Sequence, residues 1–146
     1  MKKKTLIYGG GAIGSYLGAC LLNSNHQIYF LTRKRNYEYI KDKGLLVNVF
    51  NNNNLVKKFF LKNTKNFIII NSLKKLDKIH FDNIFITTKI NESLDKIFLD
   101  IEKFINNKTI IITPCTSIPF WWHKCLNKTL QKKINNSLSS LFKKNI

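Results

Sequence analysis

The run Lys4-Thr5-Leu6-Ile7-Tyr8-Gly9-Gly10-Gly11-Ala12-Ile13-Gly14-Ser15-Tyr16-Leu17-Gly18 leaves few folds open to this chain. An apolar strand breaks into glycines and resumes as a helical run from Ala12 to Ser24. In the spacing Gly9-x-Gly11-x-x-Gly14 the first glycine permits a tight turn, the second lets backbone approach a pyrophosphate, and the third packs helix against strand. Gly18, a helical turn on, extends that close packing. The amides at the helix start, with the positive end of its dipole, can hold phosphate without a cationic side chain. Gln27-Ile28-Tyr29-Phe30-Leu31-Thr32 then supplies a second strand and completes a βαβ unit. The residues expected on the diphosphate are Gly9, Gly10, Gly11, Ala12, Ile13 and Gly14. The competing reading of the same residues is a tight turn with no ligand.

Two other classes of protein meet evidence against them. Met1-Lys2-Lys3-Lys4, followed by apolar residues and Leu17-Gly18-Ala19-Cys20, resembles a lipoprotein export signal with Cys20 lipidated. An export signal needs a continuous apolar stretch of roughly seven to fifteen residues, and three glycines and Ser15 interrupt this one. The formal charge of +17 suggests nucleic acid. Yet only Arg33 and Arg35 are arginines, and the lysines are scattered without a basic and aromatic stripe, so a basic composition is not by itself a site. Cys20, Cys115 and Cys125 are widely spaced with no paired arrangement, which fits reduced thiols in a cytoplasmic setting and no metal site. The apolar runs are too short to span a bilayer. The expectation is therefore a cytoplasmic protein with neither nucleic acid nor membrane as partner, with self-association plausible at open sheet edges.

The second strand ends in Thr32-Arg33-Lys34-Arg35. At that tip an acidic residue receives the ribose 2′-hydroxyl of NAD, whereas an arginine accommodates the 2′-phosphate of NADP. Thr32 stands in the acidic position and Arg33 follows, so the expected cofactor is NADP. A short helix is expected over Tyr37 to Lys43, closed by Gly44. Leu45 to Phe50 and Leu55 to Leu61 read as an antiparallel hairpin appended to the sheet, and Phe67 to Asn71 as another strand. Asp82 to Lys89 is a strand whose last residue, Lys89, falls at the carboxyl edge where open α/β sheets bind ligands. A helix is expected over Asn91 to Phe104, with Leu94, Ile97, Phe98, Ile101 and Ile105 on one face, then a buried strand over Lys108 to Thr113.

These motifs, in this order, make the chain resemble the N-terminal half of the ketopantoate reductase (2-dehydropantoate 2-reductase) family. The glycine segment, the strand ending at Arg33 and the strand ending at Lys89 are similar to that family's, as is Pro114-Cys115-Thr116-Ser117-Ile118-Pro119-Phe120-Trp121-Trp122. The resemblance implies a Rossmann-like, doubly wound, mostly parallel α/β sheet with a hairpin excursion over residues 1–122. It implies NADP as cofactor, NADPH-dependent reduction of 2-dehydropantoate to pantoate as the reaction, and Lys89 near the nicotinamide. Thr116 stands where the family has an asparagine and can offer one hydroxyl in place of an amide. The family's catalytic lysine lies in a helical second domain that residues 123–146 do not resemble; Leu126, Leu130, Ile134, Leu138 and Leu141 there suggest an amphipathic helix. Catalytic residues are accordingly unassigned, and 2-dehydropantoate is a partner only if a second domain is supplied.

Overall fold

Successive side chains of a strand point to opposite faces, so a strand covered on both faces must be apolar almost throughout. Leu6 and Ile7, and Tyr29 and Phe30, are such neighbours, and each pair divides between two separate cores. The computed structural model describes residues 2–24, 26–77, 79–89 and 94–114. In chain order the elements are β1 (Lys3–Tyr8), α1 (Ala12–Leu22), β2 (His26–Leu31), α2 (Lys34–Lys43), β3 (Leu45–Asn51), β4 (Asn54–Leu61), β5 (Phe67–Ile70), β6 (Asn83–Ile86), α3 (Leu94–Ile101) and β7 (Ile110–Ile112). Short 3₁₀ turns lie at Leu73–Lys75 and Glu102–Phe104.

Five strands form one parallel sheet in the order β5-β2-β1-β6-β7. On one face Ala19 of α1 and Ile40 of α2 pack with Ile7, Ile28, Phe30, Phe67 and Ile69. On the other, Ile97, Phe98 and Ile101 of α3, with Phe104, cover Leu6, Tyr29, Ile84 and Ile86. The chain thus fills one side of β1 first, then crosses to fill the other. That reversal opens a crevice between the carboxyl ends of β1 and β6.

The β3–β4 hairpin forms a two-stranded sheet of its own, outside the parallel one. Its Val47 and Leu61 join the α1-side core, while Leu46, Phe50 and Phe60 are exposed. Asn52 and Asn53 take positive φ at the turn, the conformation that a two-residue hairpin loop needs. Two expectations are corrected. Helix α2 begins at Lys34 rather than Tyr37, because Arg33 already takes the extended backbone of an N-cap. Strand β7 is not buried: it is an edge strand with Ile110 56% and Ile112 36% exposed, since no described element lies over those side chains. The expected tail over residues 123–146 lies outside the described residues, as does the boundary at 122. Among the described residues no helix is long and apolar enough to cross a membrane.

Phe81 anchors the α3 side. Its ring meets Tyr29 at 5.2 Å edge-on and Phe104 at 5.7 Å. Phe81→Ala is expected to lower the unfolding free energy by about 3–5 kcal/mol, measured by denaturant titration.

Candidate functional site

The turn between β1 and α1 is tight because several of its residues have no side chain. Gly9 has φ +128°, a region that L side chains rarely adopt, and a Cβ there would stand 2.9 Å from Thr87 Oγ1. A Cβ on Gly14 would overlap the Gly9 carbonyl oxygen, and one on Gly10 would come within 2.9 Å of Thr32 Oγ1. Gly11 differs: a Cβ there meets nothing within 4 Å, so the space in front of it is open. Gly11 is the N-cap of α1 and offers no side-chain cap, and the first turn holds no acidic residue. The amides that open a helix have no partner within it.

Across the turn lies a groove of about 540 Å³. Tyr8, Gly9, Gly10 and Gly11 form its floor, Leu31, Thr32, Arg33, Arg35 and Asn36 one wall, and Thr87, Thr88 and Lys89 the other, with Asn71 at the end of β5. Parallel pairing explains why these segments meet, since β1, β2, β5 and β6 all end at the same edge. Arg33, Arg35 and Lys89 are cationic, and among the described residues no carboxylate lines the groove. Their fields add over an edge that already carries the positive end of a helix dipole. Beside it, a cavity of about 350 Å³ shares Tyr8, Leu31 and Asn71 and continues to Leu73, Leu99 and Lys103. Tyr8 Oη donates to Asp100 Oδ2 at 3.0 Å between the two. Burial pushes the Tyr8 phenol up to about 12, and the Asp100 carboxylate adds to the shift.

The profile described as "Ketopantoate reductase PanE/ApbA" matches residues 5–114. This chain belongs to the ketopantoate reductase family. Among solved structures, the 2-dehydropantoate 2-reductase of Methylococcus capsulatus is similar with a TM-score of 0.58 and 23% identity, over 81% of this chain and 36% of that one. A protein of Ralstonia solanacearum MolK2 assigned to the ketopantoate reductases has a TM-score of 0.64 and 20% identity, over 84% of this chain and 34% of that one. A D-mandelate dehydrogenase solved with NADH and anilino(oxo)acetate has a TM-score of 0.62 and 24% identity, over 89% of this chain and 36% of its own. The chain spans about a third of the length of these structures. No curated protein sequence matches the chain.

Within this member of the ketopantoate reductase family, Gly9, Gly10, Gly11, Arg33 and Lys89, singled out from the sequence, all line one groove. Ala12 and Ile13 are exposed at the start of α1, whereas Gly14 is buried beneath the turn and gives it its shape. Thr116 lies outside the described residues. Sequence reasoning missed Thr87, Thr88, Arg35, Asn36, Asn71 and Tyr8. A signal for the first two was present, because Thr87 and Thr88 directly precede Lys89 at the strand end already placed on the carboxyl edge. His26, for which the sequence offers no partner, places Nδ1 2.8 Å from Thr5 Oγ1.

Two glycines of one motif should therefore respond differently to the same substitution. Gly14→Ala is expected to cost at least about 2–3 kcal/mol in denaturant unfolding, as overpacking against backbone does. Gly11→Ala should cost no more than about 1 kcal/mol, the size of an N-cap effect. The Tyr8 phenol has a folded pKa above its unfolded value of 10.0, so its stabilisation is full below that pH and is lost as pH rises to about 12. Thermal melts across that window should show a stability loss that is shallower in Tyr8→Phe.

Proposed function

We propose that this chain holds a nicotinamide dinucleotide, NADP(H) rather than NAD(H), as the cofactor domain of a ketopantoate reductase. The observation that carries this reading is the open space in front of Gly11, bounded by the free start of α1 and, among the described residues, by three cations and no acid. The residues fit the group on two counts. A Cβ at Gly11 would occupy the space that a diphosphate needs, and Thr88 Oγ1 is buried without a partner among the described residues at the groove wall. On this reading the amides of Gly10, Gly11, Ala12 and Ile13 bind the diphosphate. Arg33, at the tip of β2, pairs with the ribose 2′-phosphate through its fork of N–H donors. Lys89 completes the neutralisation from the opposite wall or meets a substrate carboxylate. Thr116 would offer a single hydroxyl.

Bound, the cofactor supplies a hydride for a ketone, and the developing alkoxide needs a proton. Reduction of 2-dehydropantoate to pantoate is the reaction proposed, in line with the family and with the Methylococcus capsulatus reductase whose fold this chain shares. No described residue of the groove is assigned as the acid. The acid and the surface that closes over the keto acid are proposed to come from a further helical domain of the kind the family carries.

Titration followed by nicotinamide fluorescence tests the reading. NADPH is expected to bind more tightly than NADH. Arg33→Ala should weaken NADPH by about 1.5 kcal/mol, roughly tenfold, as loss of a charge-assisted bond does, and leave NADH nearly unchanged. Equal affinities in the unaltered chain would remove the 2′-phosphate assignment.

A further inference from the structure

The glycine turn has no side chains with which to fix its own peptide planes, so their orientation has to come from outside. Thr87 reaches it from the end of β6. Its backbone N–H donates to the Tyr8 carbonyl at 3.0 Å, continuing the ladder between β6 and β1. Its Oγ1 donates to the Gly9 carbonyl at 2.7 Å, one residue beyond the ladder. In a planar trans peptide the carbonyl and the following amide point in opposite directions. Holding the Gly9 oxygen inward toward β6 therefore turns the Gly10 N–H away from β6. Gly9, at φ +128°, has no Cβ to resist rotation of that plane. Without the hydroxyl, the Gly9 oxygen would lose its hydrogen bond beneath α1.

We propose that Thr87 is a positioning residue for the groove: its hydroxyl sets the Gly9–Gly10 peptide plane so that the Gly10 amide is presented to the diphosphate. This deepens the dinucleotide reading and rests on it for the identity of the ligand. It adds a requirement that no glycine motif contains, a hydroxyl on the neighbouring strand delivered by parallel pairing at Tyr8↔Ile86. Valine at 87 would keep the shape and lose the bond, whereas serine would keep the bond.

The test uses the full chain, labelled with ¹⁵N-glycine, as Thr87→Val, Thr87→Ser and Thr109→Val. Thr109 lies at the opposite edge of the sheet, where its Oγ1 donates to the Phe81 carbonyl at 2.7 Å and accepts from the Asn106 N–H at 3.0 Å; it controls for loss of a buried threonine hydroxyl and its hydrogen bonds. Gly10 and Gly11 amide shifts are read in the ligand-free protein, and NADPH is then titrated well below the unfolding temperature. Thr87→Val is expected to move the Gly10 amide and weaken NADPH at least fivefold, with Thr87→Ser restoring both. Thr109→Val should lower the unfolding temperature and move neither. An unmoved Gly10 amide in Thr87→Val, or Thr87→Ser behaving as Thr87→Val, overturns the proposal. If the amide responds as expected but the unaltered chain binds no NADPH, the dinucleotide reading fails while the orienting role of Thr87 stands.

Discussion

The approach of α1 to β1 is the constraint on which the rest of the molecule depends. Gly14 leaves no room for a Cβ against the Gly9 carbonyl, and a Cβ on Gly18 would stand 3.1 Å from the Phe67 ring. Helix and strand can lie that close only where side chains are missing, so the glycines set the height of α1 above the sheet. That height decides where the first amides of α1 fall relative to the end of β1. The α1-side core of Ile7, Ile28, Phe30 and Phe67 fills the remaining space, with the Phe30 and Phe67 rings 5.2 Å apart. Packing and binding geometry are here one requirement, because a shift of the helix would move the groove floor with it.

A parallel sheet adds a second consequence. All its strands end on one edge, so segments far apart in sequence deliver residues to one place: Gly9 to Gly11 after β1, Arg33 after β2, Asn71 after β5 and Lys89 after β6. The chain carries a formal charge of +17, and most of its cations are spread over the whole sequence. Among the described residues, the groove is distinguished by three cations with no carboxylate in its lining, combined with a helix N-terminus that no side chain caps. Asp100, in the neighbouring cavity, is bonded to Tyr8 and does not line the groove. The potential over the groove is thus positive by arrangement and not merely by composition.

Family membership is carried by residues 5–114, the same stretch that builds the sheet and its carboxyl edge. This chain covers 34–36% of the structures similar to it. On the proposed reading a cofactor groove can be complete on one domain, because backbone at a single turn would hold the diphosphate. Reduction of a ketone needs more, since substrate orientation and proton delivery require groups facing the cofactor from the other side.

Local chemistry made much of this legible beforehand. The glycine spacing marked the turn and the start of α1, and unbroken apolar runs marked strands covered on both faces. Two β-like runs around the asparagines marked the β3–β4 hairpin, and Arg33 and Lys89 were readable because each closes an apolar run, although β2 and β6 themselves stop at Leu31 and Ile86. Other features were not readable, for specific reasons. That β7 is an edge strand depends on what lies over Ile110 and Ile112, and an isoleucine run reads the same at an edge or in the centre. The independence of the hairpin depends on which hydrogen-bonding partners β3 and β4 find. Thr87, an ordinary strand threonine in the sequence, bonds the Gly9 carbonyl only because β6 pairs with β1 in one register. The sequence by itself determined which segments become strand, turn and helix, because propensity and periodicity act over a few residues. Tertiary structure alone decided which strand ends meet and which hydroxyl faces which carbonyl, because register and sheet order are set by contacts between residues far apart along the chain.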